Sequence, residues 1–315
     1  MKHNLKITAI LLLMFIITQF MGLLVLYADP LKVDAISSDG TIQQISNPYL
    51  TWLSPVEAKT QADFTSFFVQ IVLAFILAVG ILFFLMKFKL ESFLRGWFFL
   101  VVAIALFITF LAFEKIIPFM IEIKVALILA AVFALIFSYL KIYKRRLFIH
   151  NFTEILIYPG ISAVFVPLLN IYTVLSLLVI ISVYDAWAVW KSGIMQKMAK
   201  YQMNKLNIFS GFFIPYVSKK IRARIKEMKK SKSKKKIKVN VAILGGGDVI
   251  FPIITSGVIM KSFGIIPALF VILGAVLGLS YLFFFAEKKK FYPAMPFITA
   301  GILIGLGLFW IIGLF

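Results

Sequence analysis

The chain has 315 residues, of which 62% are apolar, and its formal net charge at pH 7 is +20. With a mean hydropathy of +1.01, this composition excludes a soluble globular protein and predicts an all-α polytopic membrane protein. The chain contains no cysteine, which excludes disulfides, cysteine-ligated metals and cysteine nucleophiles.

Nine apolar stretches are long enough to cross a bilayer as α-helices. The first could be read as a signal peptide, but its apolar run exceeds the roughly 7–15 residues of such a signal. We therefore expect a retained first helix. The predicted transmembrane helices, called spans one to nine, are 6–28, 64–86, 97–113, 119–140, 152–169, 171–190, 239–259, 264–285 and 293–314.

Basic residues are distributed unevenly between the connections of these spans. If the N-terminus is cytoplasmic, cytoplasmic segments hold 28 of the 33 Lys and Arg residues. This bias predicts a cytoplasmic N-terminus and an extracytoplasmic C-terminus in the cell membrane. The chain then divides into spans one to six (1–190), a basic cytoplasmic loop (191–238) and spans seven to nine (239–315). The run KKSKSKKKIK at 229–238 is more typical of contact with the anionic lipid bilayer than of nucleic-acid binding.

Only two of the 13 acidic residues fall deep inside predicted spans. Asp185 lies in span six and Asp248 in span seven, whereas His3 and His150 lie near cytoplasmic ends. We therefore expect no buried cation to neutralise either aspartate. An isolated carboxylate in lipid would be costly and nearly inert. Two facing carboxylates can instead share one proton, so that one activates a water and the other protonates a peptide carbonyl.

The depth of the two aspartates is consistent with such a pair. Asp185 lies six residues before Lys191, about 9 Å of helix rise, and Asp248 lies ten after Lys238, about 15 Å. Spans six and seven are successive and antiparallel. Both carboxylates therefore fall in the cytoplasmic half of the membrane.

The residues around Asp248 are also of types that suit an active site. Gly245 and Gly247 remove side chains at positions where we expect another backbone to approach closely. Pro252 lacks an N–H, so the carbonyl of residue 248 loses its usual helical donor. A packing cluster of glycines in a kinked helix is the alternative interpretation of this segment.

Three motifs in order resemble those of one family: Tyr184-Asp185 in span six, LGGGD ending at Asp248 in span seven, and Pro293-Ala294-Met295-Pro296 at the start of span nine. Together they resemble the presenilin and signal-peptide-peptidase family of GxGD intramembrane aspartyl proteases, and the short loops are similar to those of its compact archaeal members. The resemblance implies that Asp185 and Asp248 are catalytic. It implies that the segment from Pro293 to Met295 is the family's PAL motif, with Met in place of Leu. The residues that we expect to support the site are Tyr184, Gly245, Gly247, Pro293, Ala294, Met295 and Pro296.

The resemblance also implies a membrane-embedded helical peptide or protein as substrate, no cofactor and no metal, and it is compatible with an oligomer. A literal Pro-Ala-Leu occurs at 267–269, but it opens span eight on the outer side, about a membrane thickness from the aspartates. We interpret it as an ordinary helix start with Pro in the first turn.

Residues 235–242, KKIKVNVA, alternate apolar and polar side chains and are rich in β-branched residues. This pattern predicts a short strand entering span seven, which could pair with an unwound substrate. A flexible basic tether is the alternative.

Other functions fit the residues less well. A metalloprotease motif HExxH is absent, and no span contains the histidine that a serine protease needs. Prepilin peptidases typically have a lysine two residues after the GxGD aspartate, where this chain has Ile250. A cation channel or proton-coupled carrier could use the same aspartates, but here the buried polarity is confined to two spans. We therefore expect an intramembrane aspartic endopeptidase.

Overall fold

The computed structural model describes residues 5–36, 41–53, 58–88, 90–117, 122–144, 146–192, 209–216, 240–287 and 292–313. Within these ranges the chain forms nine α-helices and four β-strands. The helices are α1 Leu5–Ala28, α2 Gln61–Lys87, α3 Glu91–Ile116, α4 Ile123–Tyr139, α5 Leu147–Phe165, α6 Ile171–Trp187, α7 Gly246–Phe263, α8 Ile265–Phe285 and α9 Met295–Ile312. The strands are β1 Lys32–Ile36, β2 Ile42–Ser46, β3 Gly211–Tyr216 and β4 Asn240–Gly245.

Eight of the nine described helices are long and apolar enough to cross a membrane. The exception is α7, which has 18 residues and contains Asp248, Pro252 and Lys261. Two helices continue into a π-helical turn, α4 through Leu140–Lys144 and α6 through Ala188–Ser192. The chain is therefore a predominantly helical, multi-pass membrane protein, as its composition predicts.

The start of the seventh span differs from the sequence prediction. A helix was expected over 239–259, but residues 240–245 form strand β4 and the helix runs from Gly246 to Phe263. The β-branched residues before the glycines favour a strand, and β3 provides the partner that a lone strand needs. The strand expected over 235–242 is confirmed for its last three residues. Residues 235–239 lie outside the described residues, as does the basic run 229–238.

Helix α7 lies at the centre of the bundle. It contacts α1, α5, α6, α8 and α9, and ten of its 18 residues are buried, among them Val249, Ile253 and Gly257. The α8–α9 pair is the closest packed, because Gly274, Gly278, Gly301 and Gly305 each lie against the backbone of the facing helix. Helix α2, in contrast, is exposed along most of its length and packs lightly against α6 and α3.

Two antiparallel hairpins complete the described part of the chain. In the first, β1 pairs with β2 from Lys32↔Ser46 to Ile36↔Ile42. In the second, β3 pairs with β4 from Gly211↔Gly245 to Tyr216↔Asn240. This second hairpin packs against α5 and α7 with Phe212 and Leu244 buried. It therefore leads the chain directly into the helix that carries Asp248.

Candidate active site

Asp185 is held near the end of α6. A capping box between Asn170 and Thr173 fixes the other end of this helix. The Asp185 side chain is buried, at 3% exposure. Its Oδ2 accepts a hydrogen bond from the Met295 backbone N–H at 3.0 Å, and the Ala294 N–H faces the same carboxylate. Its Oδ1 has no hydrogen-bond partner within the described residues.

The donors to Asp185 come from the first turn of α9. Ala294 caps this helix and Met295 is its first residue, so their N–H groups have no partner inside the helix. The positive end of the helix dipole lies at the same place. Pro293 is buried just before the turn, and Pro296 takes an early helical position where the missing N–H costs nothing. The predicted Pro-Ala-Met-Pro segment thus directs backbone N–H groups towards Asp185, and the Met295 N–H forms a hydrogen bond to it.

A second polar contact joins the same two helices. The hydroxyls of Ser182 on α6 and Thr299 on α9 are 2.7 Å apart. Both residues lie about one turn from the Asp185–Met295 hydrogen bond. The two contacts together fix the position of Asp185 along the helix axis relative to the start of α9.

Asp248 lies in the first turn of α7, directly after the β4 strand. The backbone N–H of Gly245 faces its carboxylate, and the Asp248 carboxylate is close enough to Asp185 for the two to interact electrostatically. The structure therefore brings together the two acidic residues that the sequence singled out.

The close approach within the glycine triplet occurs at Gly246, not at the flanking glycines that the sequence analysis favoured. A Cβ on Gly246 would lie 2.8 Å from Ser210 Oγ and 2.8 Å from the Tyr158 hydroxyl. A Cβ on Gly247 would meet only Phe251 of its own helix, at 3.7 Å. On Gly245 it would lie 3.0 Å from Asp248 Oδ2 and would meet no backbone atom of another described element within 4 Å. The expectation that Gly245 and Gly247 admit another backbone was wrong, because the facing groups are side chains that meet the middle glycine.

Tyr184, the other residue expected to support the site, packs its ring against α2. The ring packs edge-to-face on Phe75 of α2, with centroids 5.3 Å apart. The residue therefore links α6 to the exposed helix α2.

One polar contact near Asp248 was missed in the sequence. Gln19 of α1 is fully buried, and its Nε2 donates to the Val249 carbonyl at 3.0 Å. The signal was an amide side chain inside an otherwise apolar first span. Because Gly22 faces Ile253 one turn further, α1 packs closely along α7 beside the aspartate.

Two basic side chains are buried, but neither forms an ion pair with Asp185 or Asp248, the two residues for which no neutralising cation was expected. Lys141 at the end of α4 and His150 on α5 are buried, and Lys141 forms an ion pair with the buried Glu154. The long lysine side chain reaches inward from a position near the helix end, and the pair shields both charges from the low-dielectric interior. Lys261 lies 3.6 Å from Asp29, and within the described ranges neither Asp185 nor Asp248 takes part in an ion pair. No group of three potential metal ligands is found in that part of the chain.

Known proteins resemble this chain in sequence and in fold. The family model described as signal-peptide peptidase, presenilin aspartyl protease matches residues 49–314. No curated protein matches the chain.

Two solved structures of a presenilin family intramembrane aspartate protease, in space groups C222 and P2, are similar in fold. Both give a TM-score of 0.58, with 18% and 17% sequence identity. The alignments cover 96% of this chain in both cases, and 97% and 96% of the other chain. The structural similarity therefore extends over nearly the whole fold.

Proposed function

Because the chain belongs to the signal-peptide peptidase and presenilin aspartyl protease family, it is an intramembrane aspartic protease, and we propose that Asp185 and Asp248 are its catalytic pair. Members of this family act on membrane-embedded substrates within the bilayer. The observation that carries the residue assignment is that α6 and α7 pack together and hold the two carboxylates close enough to interact electrostatically. They come from neighbouring central helices, and Asp185 is oriented by the start of α9.

The hydrogen bonds around the pair suggest a role for each carboxylate. Asp185 accepts the Met295 N–H at a helix N-terminus. Its Oδ1 remains available to accept a proton from water. We assign to Asp185 the removal of a proton from the attacking water. Asp248 then donates its proton to the carbonyl oxygen of the scissile peptide.

The second half of the reaction returns both protons. The hydroxide forms a bond to the carbonyl carbon and gives a tetrahedral diol. Asp185 passes its new proton to the leaving nitrogen as the C–N bond breaks, while a diol hydroxyl returns its proton to Asp248. The pair ends in its starting protonation state, which is why the two carboxylates act as one unit.

The β3–β4 hairpin suggests how a helical substrate meets this pair. A peptide carbonyl inside a helix is hydrogen-bonded and surrounded by its own backbone, so the substrate must unwind before attack. Strand β4 ends at Gly245, three residues before Asp248. An unwound substrate segment could satisfy its backbone groups by adding to the edge of β4.

For the membrane topology we propose nine spans with the N-terminus cytoplasmic and the C-terminus extracytoplasmic. The eight apolar helices need α7 as a ninth span, because α7 lies centrally among them. The charge bias supports the orientation. At the opposite end of α7, Lys261 lies 3.6 Å from Asp29, which follows α1; both would then be extracytoplasmic.

The test uses purified protein in detergent or lipid with a labelled single-span peptide, and the products are identified by mass. The wild type should cleave within the apolar segment. Asp185→Asn and Asp248→Asn should each abolish cleavage, and the double variant should be no worse than either single one.

Wild-type rates in either single variant, with folding intact, would refute the assignment. The alternative function, an ion carrier, predicts a different result. It requires flux in sealed vesicles that depends on both aspartates, without peptide products.

A further inference from the structure

The outer edge of β3 is occupied by two side chains of α5. Asn151 binds the backbone of Phe213 twice, with Nδ2 donating to the carbonyl at 3.1 Å and Oδ1 accepting from the N–H at 3.2 Å. His150 Nε2 contacts the carbonyl of Gly211 at 2.9 Å. A side-chain amide therefore takes the place that a third strand would occupy at Phe213.

These contacts define which peptide groups of β3 face β4. In an antiparallel pair, successive residues direct their N–H and C=O alternately towards the partner and away from it. Phe213 directs both groups away, towards Asn151. Ser210 faces the partner, since its carbonyl accepts from the Gly246 N–H at 3.3 Å. Pro215 then also lies at an outward position, where its missing N–H costs no ladder hydrogen bond.

The same alternation identifies the open edge of β4, the edge on which no other strand of the described residues is paired. Phe212 pairs with Leu244 and Phe213 with Ile243, so the peptide groups of Leu244 face β3 and those of Val241 and Ile243 face outward. Gly245 is next in this outward series, and its N–H faces the Asp248 carboxylate. With about 3.4 Å of rise per residue, the outward groups of Ile243 lie about 7 Å from those of Gly245. The open edge of β4 therefore leads directly to the candidate active site.

The orientation of His150 is itself determined by a neighbour. The Gly211 carbonyl oxygen can only accept a hydrogen bond, so the His150 Nε2 must carry a proton and act as the donor. The ammonium of Lys141, which can only donate, lies 3.4 Å from Nδ1 and pairs with Glu154. A buried chain of donors thus runs from Lys141 through His150 to the β3 backbone and fixes the neutral Nε2–H tautomer.

We propose that His150 and Asn151 are positioning residues for proteolysis, because they hold the β3 edge closed and leave β4 as the edge on which an extended substrate segment adds. The proposal rests on the proposed function. Helix α5 holds the hairpin at a fixed position relative to Asp248, so that one scissile bond of the substrate is presented to the catalytic pair. Without these contacts the hairpin can shift against α5, and neighbouring bonds are cleaved as well.

Three variants and one matched control test this role. Asn151→Leu removes both hydrogen bonds at similar volume, and His150→Phe removes the donor to Gly211. His150→Gln keeps an N–H donor. Thr153→Val is the control, because the Thr153 hydroxyl bonds only to carbonyls of its own helix.

The readouts are the product map by mass, kcat and KM, and hydrogen exchange of the amides of residues 211–216. In Asn151→Leu and His150→Phe we expect the main product to lose share to neighbouring cleavage sites and KM to rise several-fold. We expect amide exchange of the β3 segment to increase by about tenfold, since the hydrogen bonds lost are each modest in net free energy. His150→Gln and Thr153→Val should resemble the wild type.

Several results would overturn the inference. One is an unchanged product map and KM in both Asn151→Leu and His150→Phe. Another is a His150→Gln variant that behaves like His150→Phe, and a third is equal effects in Thr153→Val. If the wild type cleaves no peptide but exchange rises only in Asn151→Leu and His150→Phe, the hairpin contact stands and the proposed function fails.

Discussion

Replacing the middle glycine of the triplet before Asp248 is the sharpest test of the packing at this site. In Gly246→Ala, the new Cβ would lie 2.8 Å from both Ser210 Oγ and the Tyr158 hydroxyl. These distances are shorter than ordinary carbon–oxygen contacts. The serine can rotate, but the Tyr158 ring is buried at 2% exposure and cannot easily move.

The magnitude follows from two opposing effects. Overpacking of a buried site costs about 1–3 kcal/mol, whereas replacing glycine by alanine in a helical backbone contributes about 0.5–1 kcal/mol. We therefore expect Gly246→Ala to lower the free energy of unfolding by about 1–2 kcal/mol. Gly247→Ala should be neutral or slightly stabilising, since its Cβ meets only Phe251 at 3.7 Å.

The assay compares thermal unfolding of the two variants and the wild type in one detergent, together with kcat/KM. Gly246→Ala should lower Tm by several degrees and reduce cleavage, because the start of α7 moves with Asp248. Adding Tyr158→Phe should relieve part of the loss, since the nearest ring carbon would remain at 3.1 Å. Equal stability of the two glycine variants, or strictly additive effects in the double variant, would refute the reasoning.

Three further outcomes are expected. Pro293→Ala should reduce kcat/KM more than Pro267→Ala does, because Pro293 precedes the turn that binds Asp185 whereas Pro267 lies in the first turn of α8. A larger loss in Pro267→Ala would mean that the motif has been assigned to the wrong proline. Ser182→Ala and Thr299→Val should each cost about 0.5–1.5 kcal/mol, and a double-mutant cycle that shows no coupling would contradict their hydrogen bond. The pH profile of kcat/KM should rise and then fall, because acid protonates the base of the pair and alkali ionises its acid. A profile with a single limb would indicate one working carboxylate.

The sequence alone determined the class of protein and the identity of the candidate pair. Hydropathy depends only on local composition, so it located eight helices that could cross the membrane with small errors at their ends. Asp185 and Asp248 stood out because acidic residues are rare inside apolar spans. The order of the three motifs then predicted the family, which the match over residues 49–314 confirms.

The contacts between elements were decided by the tertiary structure. The rotation of a helix and the approach of a neighbour are not encoded in a hydropathy average, so the sequence could not show that Gly246 rather than Gly247 meets Tyr158. The pairing partner of β4 lies about 30 residues earlier in the chain, beyond any local pattern. Lys141 directly follows the predicted span four, where the hydropathy pattern places it outside the apolar interior, yet Glu154, thirteen residues later, gives it a buried partner. Burial of a charge depends on what lies opposite it, and only the folded chain brings that partner into place.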